Sequence, residues 1–580
     1  MAFHYTDEKN VQIVISLLKE HGIRKIIASP GATNITFVIS AKKDSFFEIY
    51  SSVDERSAAY IACGLSAETG EPVVLSCTGA TAARNYFPGL TEAFYRKLPI
   101  LTITSTQDIS SVGHHIAQVT DRSVKPNDTV IYSTYLQLIK DQTDLWDCEM
   151  KANRAILELF RRGGGPVHIN LATGYSNNYD AKELPTYRVI HRITQSSIFP
   201  DLPDGKIAIF VGSHHTMNKS LTQSIDEFCA ANNAVVFCDH TSGYYGKYKV
   251  VYSLITGQRL LDKTGITPDL LIHIGEVSGD YSTLGLGGKV VWRVNEDGEI
   301  RDTFKKLKYV FEMPEEVFFK NYTHQDKDLK DDYLLLCKQQ LEETRTKVSE
   351  VPFSNVWLAS KLAHRIPANS TIHFGILNSL RTWNFFDLPK GVTSASNVGG
   401  FGIDGIVSSL VGASLADKNK LFFGIVGDLA FFYDMNVIGN RHVGNNLRIL
   451  LVNNGKGTEF RQFNHKAAQF GDEADEFIAA AGHFGNKSPE LVKNYCQNLG
   501  FEYVSASNKE EFEELYERFI HPELTDKPMM FEVFTTSEDE SKALEMITSL
   551  EVSTSTQVMD IAKQLLGNKG IKTVKKILKR

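Results

Sequence analysis

Gly424-Ile425-Val426-Gly427-Asp428-Leu429 and, further along, Ile449-Leu450-Leu451-Val452-Asn453-Asn454-Gly455-Lys456-Gly457 share one build. Each is a run of apolar, largely β-branched residues that ends in small and polar ones. Such runs read as parallel strands buried on both faces. In an open α/β sheet, ligands bind where the carboxyl ends of strands open into loops. These two loops offer a carboxylate, Asp428, and a carboxamide, Asn454, beside glycines that allow close backbone approach. Magnesium takes oxygen ligands and is usually shared with substrate phosphates. An Asp and an Asn on adjacent strand ends suit it; the plainer alternative is two ordinary strand-to-helix turns.

At 580 residues the chain is too long for one core, so two to four domains are expected. Apolar content of 42% and charged content of 23% are those of an ordinary soluble globular protein. A net charge of -7, with no basic stripe interleaved with aromatics, argues against nucleic acid as a partner. Cysteines 63, 77, 148, 229, 238, 337 and 496 show no paired spacing, which fits a reducing cytoplasm rather than a disulfide framework. The first ten residues lack an apolar signal core, and no apolar run approaches the roughly 18 residues of a membrane span.

In chain order, residues 11–22 read as an amphipathic helix ended by Gly22. Ile23–Ala28 then forms a strand leading into Ser29-Pro30-Gly31-Ala32-Thr33-Asn34, the first βα unit of a doubly wound domain. Phe46–Val53 is a second strand, Asp54 an N-cap, and Glu55-Arg56-Ser57-Ala58-Ala59-Tyr60 opens a helix ending near Gly70. A glutamate in a first helical turn is stabilised by the macrodipole, so Glu55 by itself reads as a capping charge. After the strand Pro99–Ser105 comes Gly113-His114-His115-Ile116-Ala117-Gln118-Val119-Thr120-Asp121. Its adjacent histidines titrate near neutrality and suit proton shuttling, or they belong to a solvated loop.

Residues 185–205, with three prolines, read as a linker. Ile207–Gly212, Ala234–Asp239 and Leu270–Gly275 are buried strands of a second α/β unit. No complete Gly-x-Gly-x-x-Gly follows them, so a dinucleotide role is not supported. Asp326–Glu350 reads as a solvated helix. The expected domains are 1–184, 185–350 and 351–548, with a basic tail over 549–580. In that tail Ile571, Val574, Ile577 and Leu578 fall at helical spacing among lysines. A solvated or oligomer-packing helix is expected there, with peripheral membrane contact as the alternative.

Gly427-Asp428-Leu429 followed by Asn453-Asn454 resembles the diphosphate and metal signature of the thiamine diphosphate (ThDP) enzymes. The chain is identified as a member of that superfamily, of the 2-oxo acid decarboxylase and acetolactate synthase type. Its motifs are similar to those of the menaquinone-pathway succinyl-enolpyruvyl-hydroxycyclohexene-carboxylate synthases. The resemblance implies that Asp428, the Asn454 side chain and the Lys456 carbonyl hold Mg2+, with Gly427, Leu429 and Ala430 against the cofactor. Asp54–Ala59 together with Cys77-Thr78-Gly79-Ala80-Thr81 resembles the pyrimidine-side signature, with Thr78 and Gly79 at the cofactor. There the glutamate, here Glu55, hydrogen-bonds the pyrimidine N1' and promotes the imino tautomer that takes the thiazolium C2 proton.

The segment Gly113-x4-Gln118-x2-Asp121 resembles that of acetolactate synthases, which implies that Gln118 faces the reacting carbon. A histidine pair here is instead similar to pyruvate decarboxylases. Ser396-Asn397-Val398-Gly399-Gly400-Phe401-Gly402-Ile403-Asp404-Gly405 is similar to the menaquinone enzymes' Asn-Arg-Gly-x-x-Gly-Ile-Asp-Gly. Ile403 would prop ThDP in its bent form, which brings the 4'-amino group to C2. Asn378-Ser379-Leu380-Arg381 resembles a turn that places an arginine on a substrate carboxylate, so Arg381 is a candidate for acid recognition.

The departures fall on the substrate side. The menaquinone enzymes carry Ser-Pro-Gly-Ser-Arg-Ser where this chain has Ser29-Pro30-Gly31-Ala32-Thr33-Asn34, and Asn-Arg-Gly where it has Asn397-Val398-Gly399. Thr33, Asn34 and Val398 are therefore candidate substrate positions with altered chemistry, and an apolar Val398 cannot replace a guanidinium against a carboxylate. Menaquinone synthesis is not expected. The resemblance implies three doubly wound parallel-sheet α/β domains and a homodimer or homotetramer whose cofactor is shared between subunits. The expected activity is ThDP- and Mg2+-dependent decarboxylation of a 2-oxo acid, with transfer of the acyl-anion equivalent to an acceptor. Simple decarboxylation is one alternative. A catalytically silent binding protein is another, against which Glu55, Gln118, Asp428 and Asn454 together speak.

Overall fold

The computed structural model describes residues 4–323, 331–482 and 488–551, so the stretch around Ile571 lies outside the described residues. The chain forms two compact units. One holds the residues up to Ile198 together with Gly298–Glu312, and the other holds Phe199–Asp297 and the chain from Met313 on.

The first unit carries β1 (Lys25–Ala28), β2 (Glu48–Ser51), β3 (Val73–Thr78), β4 (Ile100–Thr106), β5 (Tyr132–Leu136) and β6 (Val167–Ala172). They lie in the order β2-β1-β3-β4-β6-β5, every pair parallel. All seven residues of β4 are buried, as a strand covered on both faces requires. Helix Lys9–Glu20 packs Val14, Leu17 and Leu18 into the same core. Burying each such side chain contributes roughly 1.5–3 kcal/mol. Helix Glu55–Thr69 begins on Asp54, whose carboxylate accepts from the Arg56 and Ser57 N–H groups, and ends on Gly70 at φ 70°.

The segment expected to be a linker contains a further strand of this unit, β7 (His191–Thr194). In the second unit, β8 (Ile207–Val211), β9 (Ala234–Cys238), β10 (Lys249–Val251), β11 (Leu270–Ile274) and β12 (Val290–Asn295) run parallel in the order β10-β9-β8-β11-β12. β13 (Leu307–Glu312) returns to the first unit and pairs parallel with β7. Arg161 and Arg192 there share the carboxylates of Glu158 and Glu312, which ties β7 and β13 to the preceding helix.

The second unit's other sheet comprises β14 (Thr371–Phe374), β15 (Thr393–Ser396), β16 (Phe422–Gly427), β17 (Leu447–Asn453), β18 (Glu502–Ala506) and β19 (Met529–Phe534). Its order, β15-β14-β16-β17-β19-β18, repeats the first sheet strand for strand, again all parallel. The architecture is the expected set of three parallel α/β sheets. Gly424 stands within β16 because Leu410 of helix Ile406–Ser414 fills the space of a side chain; a Cβ there would lie 2.5 Å from Leu410 Cδ2. Helix Asp332–Thr346 buries Tyr333, Leu334, Cys337 and Leu341, so the segment expected to be solvated covers core with one face. All seven cysteines are buried and unpaired.

Candidate functional site

In a sheet of this order the chain reverses direction between the first and third strands, here β14 and β16. Loops leaving their carboxyl ends diverge and open a crevice. The crevice holds Gly427, Asp428, Leu429 and Ala430 after β16, and Asn454 and Lys456 after β17. Ile403 also lines it, packed at its base against the core of this sheet. Parallel register sets Gly427 opposite Val452, which brings Asp428 and Asn454 to neighbouring strand ends.

Asp428 is 3% exposed. Its oxygens accept from the N–H groups of Leu429 and Gly455, both at 2.8 Å. Burial still outweighs these bonds and pushes its carboxyl up to about 6. Two further buried acids stand nearby. Glu532 accepts from Asn453 Nδ2 at 2.7 Å and the Tyr503 hydroxyl at 2.8 Å, and burial raises it, with the Asp428 charge adding. Glu540 lines the crevice, accepts from the Asn355 N–H and Thr535 hydroxyl, and is pushed up to about 7 by burial. Lys456, on the crevice wall, spends its ammonium on Asp475 at 2.6 Å. Among the described residues, Asp428 and Glu540 thus have no cation paired with them in the crevice.

The donor set fits a hard divalent ion. Asn454 Oδ1 is buried without a hydrogen-bond partner, an orphaned acceptor next to a buried carboxylate. Such an atom is costly unless a ligand meets it. A Cβ on Gly427 or Gly455 would meet nothing within 4 Å, so neither glycine is forced by its neighbours, and the space before them is open. Among the described residues no three His, Cys, Asp or Glu side chains gather closely enough to hold a metal ion by themselves. A set of one carboxylate, one carboxamide and one carbonyl, completed by phosphate oxygens, is the Mg2+ pattern.

The equivalent reversal in the first unit lies between β1 and β3, and it gathers Thr33, Asn34, Thr78 and Gly79. The Thr33 and Thr78 hydroxyls bond each other, and Thr33 also donates to the Ser105 carbonyl at 2.7 Å. Asn34 turns inward and donates to the Ser29 carbonyl at 3.0 Å. Both Thr33 and Asn34 are buried. Glu55 is half-buried in the first helical turn, close enough to Cys77 that its charge adds to the burial that pushes that thiol up to about 12. His114, His115 and Gln118 are exposed on the irregular stretch after β4, with His115 at φ 56° and Gln118 at φ 66°. Left-handed backbone at non-glycine residues costs about 1–3 kcal/mol each and clusters at functional loops.

Arg381 stands on helix Asn378–Trp383 and gives its Nη1 to both oxygens of Glu459, at 3.0 and 2.9 Å. Asn378, its amide nitrogen turned to Glu459, adds a bond of 2.7 Å. The guanidinium is therefore already held by a carboxylate on the crevice wall. Val398 is buried against Gly279, where a Cβ would lie 3.0 Å from Val398 Cγ1, and it does not line the crevice. Glu459 and Glu540 were not visible as site residues in the sequence. Glu459 follows the glycine loop by two residues, a spacing that could have marked it; Glu540 sits in an acidic helix start that reads as capping.

The residues 9–124 match the family described as thiamine pyrophosphate enzyme, N-terminal TPP binding domain. The chain is 30% identical to a 2-succinyl-5-enolpyruvyl-6-hydroxy-3-cyclohexene-1-carboxylate synthase of Phocaeicola vulgatus, over 93% of this chain and 98% of that one. It is 28% identical to the Bacteroides fragilis protein of the same name, over the same shares. Among solved structures, the Rhodococcus jostii RHA1 thiamine diphosphate-dependent 4-hydroxybenzoylformate decarboxylase matches at a TM-score of 0.39 and 15% identity, over 91% of this chain and 99% of that one.

Proposed function

The chain belongs to the thiamine diphosphate-dependent enzymes, and on that premise we propose that it decarboxylates a 2-oxo acid and passes the acyl-anion equivalent to an acceptor. The observation that carries this reading is the orphaned Asn454 Oδ1 beside the buried, uncompensated Asp428. Asp428, Asn454 and the Lys456 carbonyl would hold Mg2+ and, through it, the diphosphate, with Gly427, Leu429 and Ala430 leaving room for it. The chemistry the cofactor would supply there is a thiazolium carbon acid and an electron sink for the bonding pair left behind when CO2 departs.

The chain's own residues orient and ionise. Glu55, placed by its N-cap in a first helical turn, would hydrogen-bond the pyrimidine and hold the proton that tunes it. Thr78 and Gly79 would flank the ring, and Ile403 would fix its bend. Gln118 would face the substrate carbon, and Arg381, released from Glu459, would meet an acid group. Thr33, Asn34 and Val398 present no guanidinium, which favours an acceptor or donor other than that of the relatives named above. The pair His114 and His115, exposed on the same loop as Gln118, supports a second reading in which protonation ends the reaction as simple decarboxylation. A homodimer or homotetramer with sites shared between subunits completes the proposal.

The test is calorimetric titration of ThDP into metal-stripped protein with and without Mg2+, followed by product analysis on a panel of 2-oxo acids. Tight binding only with Mg2+ and a carboligation product meet the proposal. An aldehyde product alone selects decarboxylation, and no ThDP binding refutes both.

A further inference from the structure

The strand that delivers Asn454 is held from behind by a buried acid. β17 ends in Asn453, and along a strand successive side chains point to opposite faces. Val452 and Asn454 line the crevice. Asn453, between them, turns to the other face and is 6% exposed. There its Nδ2 donates to Glu532 Oε1 on the adjacent strand β19, at 2.7 Å. The other carboxylate oxygen, Oε2, accepts from the Tyr503 hydroxyl of β18 at 2.8 Å. Glu532 is 1% exposed. A carboxylate in that place is expensive to bury, and an apolar side chain would fill a sheet interior at less cost. What the acid adds is a fixed acceptor for two donors, one of which is the residue next to the proposed metal ligand.

The backbone of the same strand end is fixed as well. The Asn453 carbonyl accepts from the Thr535 N–H at 3.0 Å. Two residues on, Gly455 at φ 84° turns its N–H onto Asp428. Of these bonds only the one from Glu532 grips a side chain of the strand end, so it alone decides which way Asn453 faces. With Asn453 locked backward, Asn454 is the carboxamide left to face the crevice, where its Oδ1 has no partner. A released Asn453 lets the strand end rotate, and Asn454 Oδ1 then leaves the place that a cation on Asp428 requires. Asp428 is close enough for its charge to add to the burial that raises Glu532, so acid, strand end and proposed metal site form one neighbourhood.

We propose that Glu532 is a positioning residue of the metal site: through the Asn453 carboxamide it fixes the orientation of Asn454 before cofactor arrives. The role toward Mg2+ rests on the function proposed above; the clamp on the strand end does not.

The experiment takes two readouts on the full-length protein. One is Mg2+ affinity at saturating ThDP, by calorimetry. The other is hydrogen exchange of the peptide spanning residues 452–457 in protein free of metal and ThDP, by mass spectrometry. Glu532→Leu weakens Mg2+ by about tenfold or more, the effect of removing an outer-shell partner of a metal ligand, and speeds exchange of that peptide. Glu532→Gln keeps an oxygen for Asn453 Nδ2 and recovers most of both losses. Asn453→Ala breaks the same link from its other end and reproduces the weakening, so the test survives a Glu532→Leu protein that does not fold. Where both fold, the double variant is no weaker than either single one, because the two residues act through one bond. Tyr503→Phe removes the other bond to Glu532 and lowers the melting temperature without moving Mg2+ affinity, which separates positioning from a general loss of packing. Unchanged Mg2+ affinity in Glu532→Leu or Asn453→Ala, additive losses in the double variant, or equal weakening in Tyr503→Phe overturns the proposal. A wild type that binds no Mg2+ refutes the functional reading; faster exchange of 452–457 in Glu532→Leu and Asn453→Ala then leaves the clamp standing, and unchanged exchange overturns it too.

Discussion

Glu540→Gln should stabilise the ligand-free protein, and only on the alkaline side of its titration. The Glu540 carboxylate is 5% exposed, and one oxygen takes both of its bonds, from the Asn355 N–H at 2.9 Å and the Thr535 hydroxyl at 2.8 Å. A glutamine keeps that oxygen, so the substitution removes charge and little else. Burial, with the charges of Asp539 and Asp428 adding, pushes Glu540 from its ordinary 4.5 to about 7. The unfolded carboxyl ionises from pH 4.5 upward, while the folded one keeps its proton to about pH 7. Wild-type stability therefore falls relative to the glutamine variant across that window, and the loss is complete above it. At about 1.4 kcal/mol per pH unit the full gap is about 3 kcal/mol.

Denaturant midpoints measured near pH 5 and pH 8 check this. The two proteins should nearly coincide at the lower pH, with glutamine ahead by about 3 kcal/mol at the higher. Mg2+ with ThDP should narrow the gap, since a cation on Asp428 relieves the same excess of negative charge. An offset equal at both pH values, or a glutamine variant that is weaker at pH 8, would refute the electrostatic account of the crevice.

Asp428→Ala should keep the fold and abolish the Mg2+-dependent part of ThDP binding; unaltered calorimetric affinity would remove Asp428 from the metal site. Glu55→Gln should slow thiazolium C2 proton exchange by about 10²–10⁴-fold with ThDP affinity largely kept, read by deuterium exchange under NMR. Arg381→Ala should raise KM for the 2-oxo acid by about tenfold, the loss of one charge-assisted contact; an unchanged KM with lowered melting temperature would make the Arg381–Glu459 pair structural.

The strands were legible because both faces are covered, which turns each into an unbroken apolar run between glycine and polar punctuation. The proposed metal donors, Asp428 and Asn454, were picked out for the same reason, since they stand where such runs stop. β7 was hidden because prolines flank it and its partner, Leu307–Glu312, is more than a hundred residues away. Glu540 was hidden because only packing of helix Ser537–Ile547 beside helix Asn355–Leu362 turns an ordinary capping acid into a crevice residue. Arg122 was hidden for a different reason. Asp121-Arg122-Ser123-Val124-Lys125 has the composition of a solvated loop, and the burial of Arg122, which is 8% exposed, comes from its packing beside Asn170.

These differences have one physical source. The crevice donors are placed by two adjacent parallel strands whose register is fixed by buried side chains; a slip by one residue would carry every apolar side chain to the opposite face. Asp428 and Asn454 cannot move without dismantling the sheet, so the proposed cofactor side is held rigidly and read easily. His114, His115 and Gln118 instead lie on exposed backbone, partly in left-handed conformation, outside any ladder. Side chains there can change without disturbing the core. Under the proposed assignment, altered chemistry at the substrate side beside a kept metal side is what this fold permits at little cost in stability.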